Sequence, residues 1–161
     1  MGKKSIKENK NLYQISREEA GLTREAASSL MEFISSDRIE KIESEKSLPH
    51  PDEILAMSRA YKDPELCNHF CANECPIGQK YVPEVKMKEL SQITLEMLSS
   101  LNSMEEEKNR LIQITVDGKI SDDEKEDFAN IRSKLSDIEL SIKSLQMWVD
   151  NAILTGTIKE E

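Results

Sequence analysis

Apolar residues along most of this 161-residue chain return every third or fourth position and nowhere alternate over a run long enough for a strand. That spacing is the period of the α-helix, and a chain that keeps it buries stripes rather than sheet faces. The longest stripe runs through Met87, Leu90, Thr94, Met97, Leu101, Met104, Lys108, Leu111 and Thr115, with Ile93, Leu98 and Ile112 widening it. A second runs through Phe128, Ile131, Leu135, Ile138, Ile142, Leu145 and Val149. Neither helix can bury its stripe alone, so the spacing predicts a long antiparallel helical hairpin over 83–158, with Pro83 opening the first arm. Between the arms Asp117-Gly118 makes the turn and Ser121-x-x-Glu124 a capping box. A calcium loop would need carboxylates where Gln113 and Thr115 stand, so this segment is read as a connection.

Upstream the same period comes in shorter pieces. Residues 11–20 give a first helix through Leu12, Tyr13 and Ile15, closed by Gly21. The stretch GLTREAASSLMEFISSDRIEKIES, residues 21–44, reads as two helices joined by a few residues, with Thr23 starting one and Ser35 or Ser36 the other. Leu48-Pro49-His50-Pro51 breaks the chain, Pro51 starts a fourth helix carrying Ile54, Leu55, Met57 and Tyr61, and Asp63-Pro64 starts a short fifth. With three Phe, three Tyr and one Trp, the core falls to Leu, Ile, Val and Met, and five Gly and five Pro leave helix nearly uninterrupted. The expected fold is all-α: a flexible basic arm at 1–10, a helix-turn-helix bundle at 11–66, a cysteine-bearing helix and linker at 67–82, then the hairpin.

The runs REEAGLTREAASSL, ISSDRIEKIE and SLPHPDEILAMSRAY resemble the XRE (Cro and lambda-repressor-like) helix-turn-helix family over residues 11–61. The segment after Tyr61 is similar to clostridial relatives that couple this domain to a helical hairpin. The resemblance implies a small repressor-like bundle that binds double-stranded DNA through its second motif helix. Arg24 would then touch phosphate, Ser35, Ser36, Asp37, Arg38, Glu40 and Lys41 would lie at or in the groove, and Lys46 would meet the backbone beyond it. Where the family carries glycine after that helix, this chain reads Glu43-Ser44-Glu45, and the turn between the two helices lacks glycine too.

Charge qualifies the expectation. Residues 1–66 hold 11 Lys+Arg against 13 Asp+Glu and residues 67–161 hold 11 against 18, which divides the net −9 into −2 and −7. The acidic second half repels nucleic acid, so any DNA contact belongs to the first. Asp37 and Glu40 can accept from cytosine amines or oppose phosphate. A reader of one half-site also binds weakly, so DNA recognition calls for a homodimer, with the hairpin as the device that pairs two copies. The competing reading keeps the scaffold and turns its exposed helix toward a protein partner.

No Gly-rich phosphate loop, nucleophile–base pair or His–carboxylate ligand set is written in the chain, so no enzyme activity and no cofactor are expected. Cys67, Cys71 and Cys75 repeat at four-residue steps and would share one face of an α-helix; they are the candidates for a soft metal, although the spacing lacks the CxxC knuckle of zinc sites and suits buried packing. Without an apolar run of eighteen residues or a signal-like leader, and with an odd number of cysteines, the expected setting is cytoplasmic, away from membrane.

Overall fold

The computed structural model of the chain describes residues 10–116 and 118–159, the side chain of Glu106 excepted. The expected basic arm therefore lies outside the described residues save for Lys10, which pairs with Glu18 at 2.6 Å, and Asp117 of the joining turn lies outside them too. Among the described residues there are helices and turns and no strand, and no helix is long and apolar enough to cross a membrane. They form two compact units: residues up to 84 together with those from 149, and residues 85–148.

In the first unit, helices begin where a side chain can accept from their free N–H groups. Asn11 caps α1 (Leu12–Glu19), Thr23 caps α2 (Arg24–Met31) and Ser35 caps α3 (Ser36–Glu43), each accepting from the N–H three residues on. Proline opens α4 (Pro51–Tyr61), and Glu53 reaches back to the His50 N–H at 2.7 Å. A short α5 (Glu65–His69) runs into a π-helical turn, Phe70–Glu74, and α6 (Gly78–Tyr81) follows. Ala27 and Met31 of α2, Ile39 and Ile42 of α3, Ile54 and Met57 of α4 and Leu66 of α5 meet in one core. At roughly 1.5–3 kcal/mol for each large side chain removed from water, this cluster supplies most of the attraction between the helices. On α1 it is Tyr13 that enters the core, while Ile15, expected inside, is 38 % exposed. The Tyr13 hydroxyl donates to Glu74 at 2.6 Å and its ring meets His69 edge-on, tying α1 to the π-helical turn.

A carboxylate holds the helix pair in place. Glu43, at the end of α3, keeps 1 % of its side chain exposed and accepts from Arg17 of α1 and from Arg24 Nε at 2.8 Å. A second Arg17 nitrogen donates to Glu43 at 3.0 Å, and a third to the Leu22 carbonyl at 2.7 Å. A buried carboxylate left without such donors would cost several kcal/mol, so α1, α2 and α3 must arrive together.

Three turns in this unit hold a residue with a side chain at positive φ, one of them Lys62 at φ 57 after α4. Helix α3 ends with Glu45 at φ 59, the Lys46 N–H returning to Lys41 O at 2.9 Å and the Glu45 N–H to Ile42 O at 3.0 Å. This is the left-handed closure glycine normally fills, and Glu45 occupies it. Between α2 and α3, Glu32 sits at φ 58 and ψ −50, and the Phe33 N–H donates to Met31 O at 2.6 Å. That is a γ-turn, strained for any residue with a Cβ.

The second unit pairs α7 (Leu90–Thr115) with the part of α8 (Lys125–Leu154) that precedes residue 149. Arg110 Nε meets Asp127 at 2.6 Å, Lys134 reaches Glu107 at 2.9 Å and the Ser103 carbonyl at 3.2 Å, and the Ser100 and Ser141 hydroxyls lie 3.3 Å apart. Partners descend α7 as they climb α8, the order of an antiparallel pair. The capping box expected at Ser121 and Glu124 forms, with Gly118 at φ +69 before it.

Two expectations are corrected here. Pro83 does not open a helix: residues 82–89 are non-helical up to Leu90, with Asn68 donating to the Pro83 carbonyl at 3.0 Å and Val85 buried. Nor do the apolar stripes form the seam throughout. Ile93, Ile114 and Ile131 are buried, but Leu101, Leu135 and Ile142 are 48 %, 49 % and 44 % exposed.

Replacing Glu32 or Glu45 by glycine relieves the positive φ at a smaller cost in unfolded-chain entropy, and each variant is expected to gain about 0.5–1 kcal/mol. Urea midpoints report it; a loss at either site would mean that the glutamate's own contacts outweigh the strain.

Candidate nucleic-acid interface

Helix α3 is the element on which the site is built. Ile39 and Ile42 face the core, Glu43 is locked by Arg17 and Arg24, and Ser35 closes the first turn, so the helix is pinned along one side and at both ends. On its other side Asp37 and Lys41 are exposed, one turn apart, with Ser36 and Glu40 half-buried beside them. Ser35 is exposed, but its hydroxyl is engaged as the cap of the Arg38 N–H.

Arg38 departs from its expected place. Its guanidinium turns toward α4, donating from Nε to Glu53 at 2.6 Å, from one Nη to the other Glu53 oxygen at 2.7 Å and to the Leu48 carbonyl at 2.9 Å, and from its remaining Nη to Ser47. All its nitrogens are thus spent on the start of α4 and the loop before it, and what the pattern offered as a base-reading side chain is a strut between two helices. The cause is Glu53, which also caps α4; its carboxyl is held below the usual carboxylate range by the Arg38 hydrogen bonds first, against burial, with the His50 N–H adding to the lowering.

The other cations are less committed. Arg24 uses Nε on Glu43 and is 35 % exposed, leaving the outer part of its guanidinium at the surface. Lys46 approaches Glu40 at 3.4 Å, both side chains largely in water, a contact worth little. Lys41 has no ion-pair partner among the described residues. The surface around α3 thus carries Arg24, Lys41 and Lys46 against Glu25, Asp37, Glu40 and Glu45, which is mixed rather than basic. Apolar side chains stand at its edge: Leu30 is 59 % exposed, Phe33 62 % and Leu48 74 %. Periodicity places Leu30 in one apolar stripe with Leu22, Ala26, Ala27 and Met31, yet it is exposed, and the turn that exposes Phe33 is set by the backbone at Glu32.

The cysteines lie away from this face. Cys67 on α5 packs against the core, Cys71 falls in the π-helical turn and Cys75 ends it, so the four-residue ladder of a continuous α-helix is interrupted. Burial, followed by the neighbouring Cys75 and Cys67, pushes the Cys71 thiol up. Gly78 lies against this turn so closely that a Cβ on it would fall 1.9 Å from the Cys71 carbonyl oxygen. Among the described residues no three His, Cys, Asp or Glu side chains are gathered to hold a metal.

The Arg38–Glu53 strut carries a pH dependence. A carboxyl titrating below its unfolded value stabilises the fold fully above that value, near pH 4.3, and progressively less as pH falls through its folded one. Glu53→Gln is expected to lower stability by ~2–4 kcal/mol at neutral pH and to flatten the decline below pH 4.3. Urea titrations at several pH values read both effects, and an unchanged acid limb would show that Glu53 contributes no strut. No family model matches the chain, and no curated protein or solved structure does either.

Proposed function

We propose that the chain is a DNA-binding transcriptional regulator acting as a dimer, with α3 as the helix offered to the major groove. The observation that carries this reading is the bracing of α3: buried Glu43 fastens its end to α1 and α2, Arg38 fastens its start to α4, and the side left open presents Ser36, Asp37, Glu40 and Lys41. A helix fixed to its neighbours on three sides keeps its remaining side in a defined orientation, as groove reading requires. The resemblance to XRE-type sequences points the same way. Affinity in this reading comes from few phosphate contacts, with Arg24 and Lys46 at the flanks and Lys41 on the helix, and sequence preference from the short polar side chains between them.

A protein partner is the second reading, favoured by one observation: Leu30 and Phe33 stand exposed beside an acidic helix from which Arg38 has been withdrawn. Its partner would be a basic surface with an apolar notch.

Fluorescence anisotropy on labelled duplexes at several salt concentrations separates the two. For a DNA reader, Lys41→Ala weakens binding to every duplex and reduces the slope of log K against log salt by about one. Asp37→Asn, which removes a charge facing the phosphates, tightens non-specific binding. No detectable binding by the folded protein at low salt would overturn DNA recognition and leave the protein-partner reading.

A further inference from the structure

The seam of the helical pair is polar along part of its length. Along α7 it follows Ile93, Ser100, Ser103, Glu107, Arg110 and Ile114, and along α8 Asp127, Ile131, Lys134, Ser141 and Ser144. Serines and two ion pairs occupy part of its length, with isoleucine at intervals. Met97, Met104 and Leu111 on α7 and Phe128, Ile138 and Leu145 on α8 are half-buried, whereas Leu90, Leu98, Leu101 and Ile112 on α7 and Leu135 and Ile142 on α8 are each 40–55 % exposed.

All but Leu98 of these exposed residues share one side. At about 100° per residue, Leu90, Leu101 and Ile112 lie roughly 110–150° past the mean direction of the α7 seam, with Leu98 opposite it, and Leu135 and Ile142 lie about a quarter turn past the α8 seam in the same sense. Because the helices run antiparallel, rotation in the same sense brings both rows to the same face of the pair. Half-exposed, these five open an apolar patch on the order of 400 Å², within the range of functional patches on monomers, and two copies face to face would bury it from both sides together with the stems of the charged residues around it.

The charges on that face fit a second copy. Arg132, Leu135, Glu139 and Ile142 form one row of α8 at steps of three and four. Arg132 and Glu139 are both exposed and neither side chain has a partner among the described residues. They stand almost symmetrically about Leu135. A two-fold axis crossing the helices beside Leu135 places α8 on its own copy running the other way, with Arg132 of each chain opposite Glu139 of the other. On α7, Glu105 and Lys108 neutralise each other at 3.0 Å, leaving no net charge to oppose closure.

We propose that this face, centred on Leu101, Leu135 and Ile142, binds the same face of a second copy of the chain. It deepens the dimer of the preceding reading but needs no DNA, so sedimentation of the protein alone tests it apart from DNA recognition. The full chain should sediment at twice its 18.4 kDa mass. Leu135→Glu and Leu101→Glu should each raise the dimer dissociation constant at least tenfold with helicity by circular dichroism retained. Arg132→Glu should do the same, and Arg132→Glu combined with Glu139→Arg should restore the dimer, a rescue that a folding defect would not show. A monomer at all concentrations, a dimer indifferent to these changes, or a charge swap without rescue would each overturn the proposal.

Discussion

Everything in the first compact unit leans on the burial of one carboxylate. Glu43 has almost no contact with water, and its charge is tolerable only because Arg17 grips it by two nitrogens and Arg24 by one. Those guanidiniums come from α1 and from the first residue of α2, so satisfying one acid fixes three helices at once. Apolar burial gives the attraction but not the angles, since leucine and isoleucine accept many packings of similar area. A charge that must find donors accepts few. The cluster of Ile39, Ile42, Ile54 and Met57 holds these helices together, and Glu43 with its arginines selects the arrangement in which α3 stands outward.

Arg38 and Glu53 repeat that logic at the other end of α3. The consequence for the proposed DNA reading is a trade: the cation that the XRE-like pattern placed toward a groove instead fixes α3 to α4. What remains outward is short or acidic, with Lys41 the cation in the middle of the face. Rigidity has been favoured over charge, and the remaining cations, Arg24 and Lys46, stand at the margins of the face.

Much of this was legible in the chain and some was not, for identifiable reasons. Thr23, Ser35 and Pro51 announced their helices because a cap or an N-terminal proline acts within one turn and leaves its mark locally. Gly21 announced a turn for the same reason. Arg38 misled because its partner lies fifteen residues on, in another helix, and no period connects them. Pro83 misled because a helix start there was outweighed by a hydrogen bond from Asn68 and by the burial of Val85. The hairpin misled in part: Met97, Met104, Leu111, Phe128, Ile138 and Leu145 of the expected stripes are half-buried and Ile131 buried, while Leu101, Leu135 and Ile142 are left out of a seam shared with serine contacts and lysine and arginine pairs. Glu45 went the other way, filling a left-handed position that its side chain disfavours because the Schellman-type closure around it demands one.

The last turns of α8 have an implication for biosynthesis. Residues from 149 onward belong with the first unit, where Asp150, Ile153 and Leu154 line a cleft with Leu55, Arg59 and Cys67. The hairpin is thus inserted between two portions of a single compact body. A ribosome that has finished α1 through α6 has made nearly all of that body yet must translate some seventy further residues before its closing piece emerges. The cleft that Leu55, Arg59 and Cys67 line is completed only by residues at that far end of the chain.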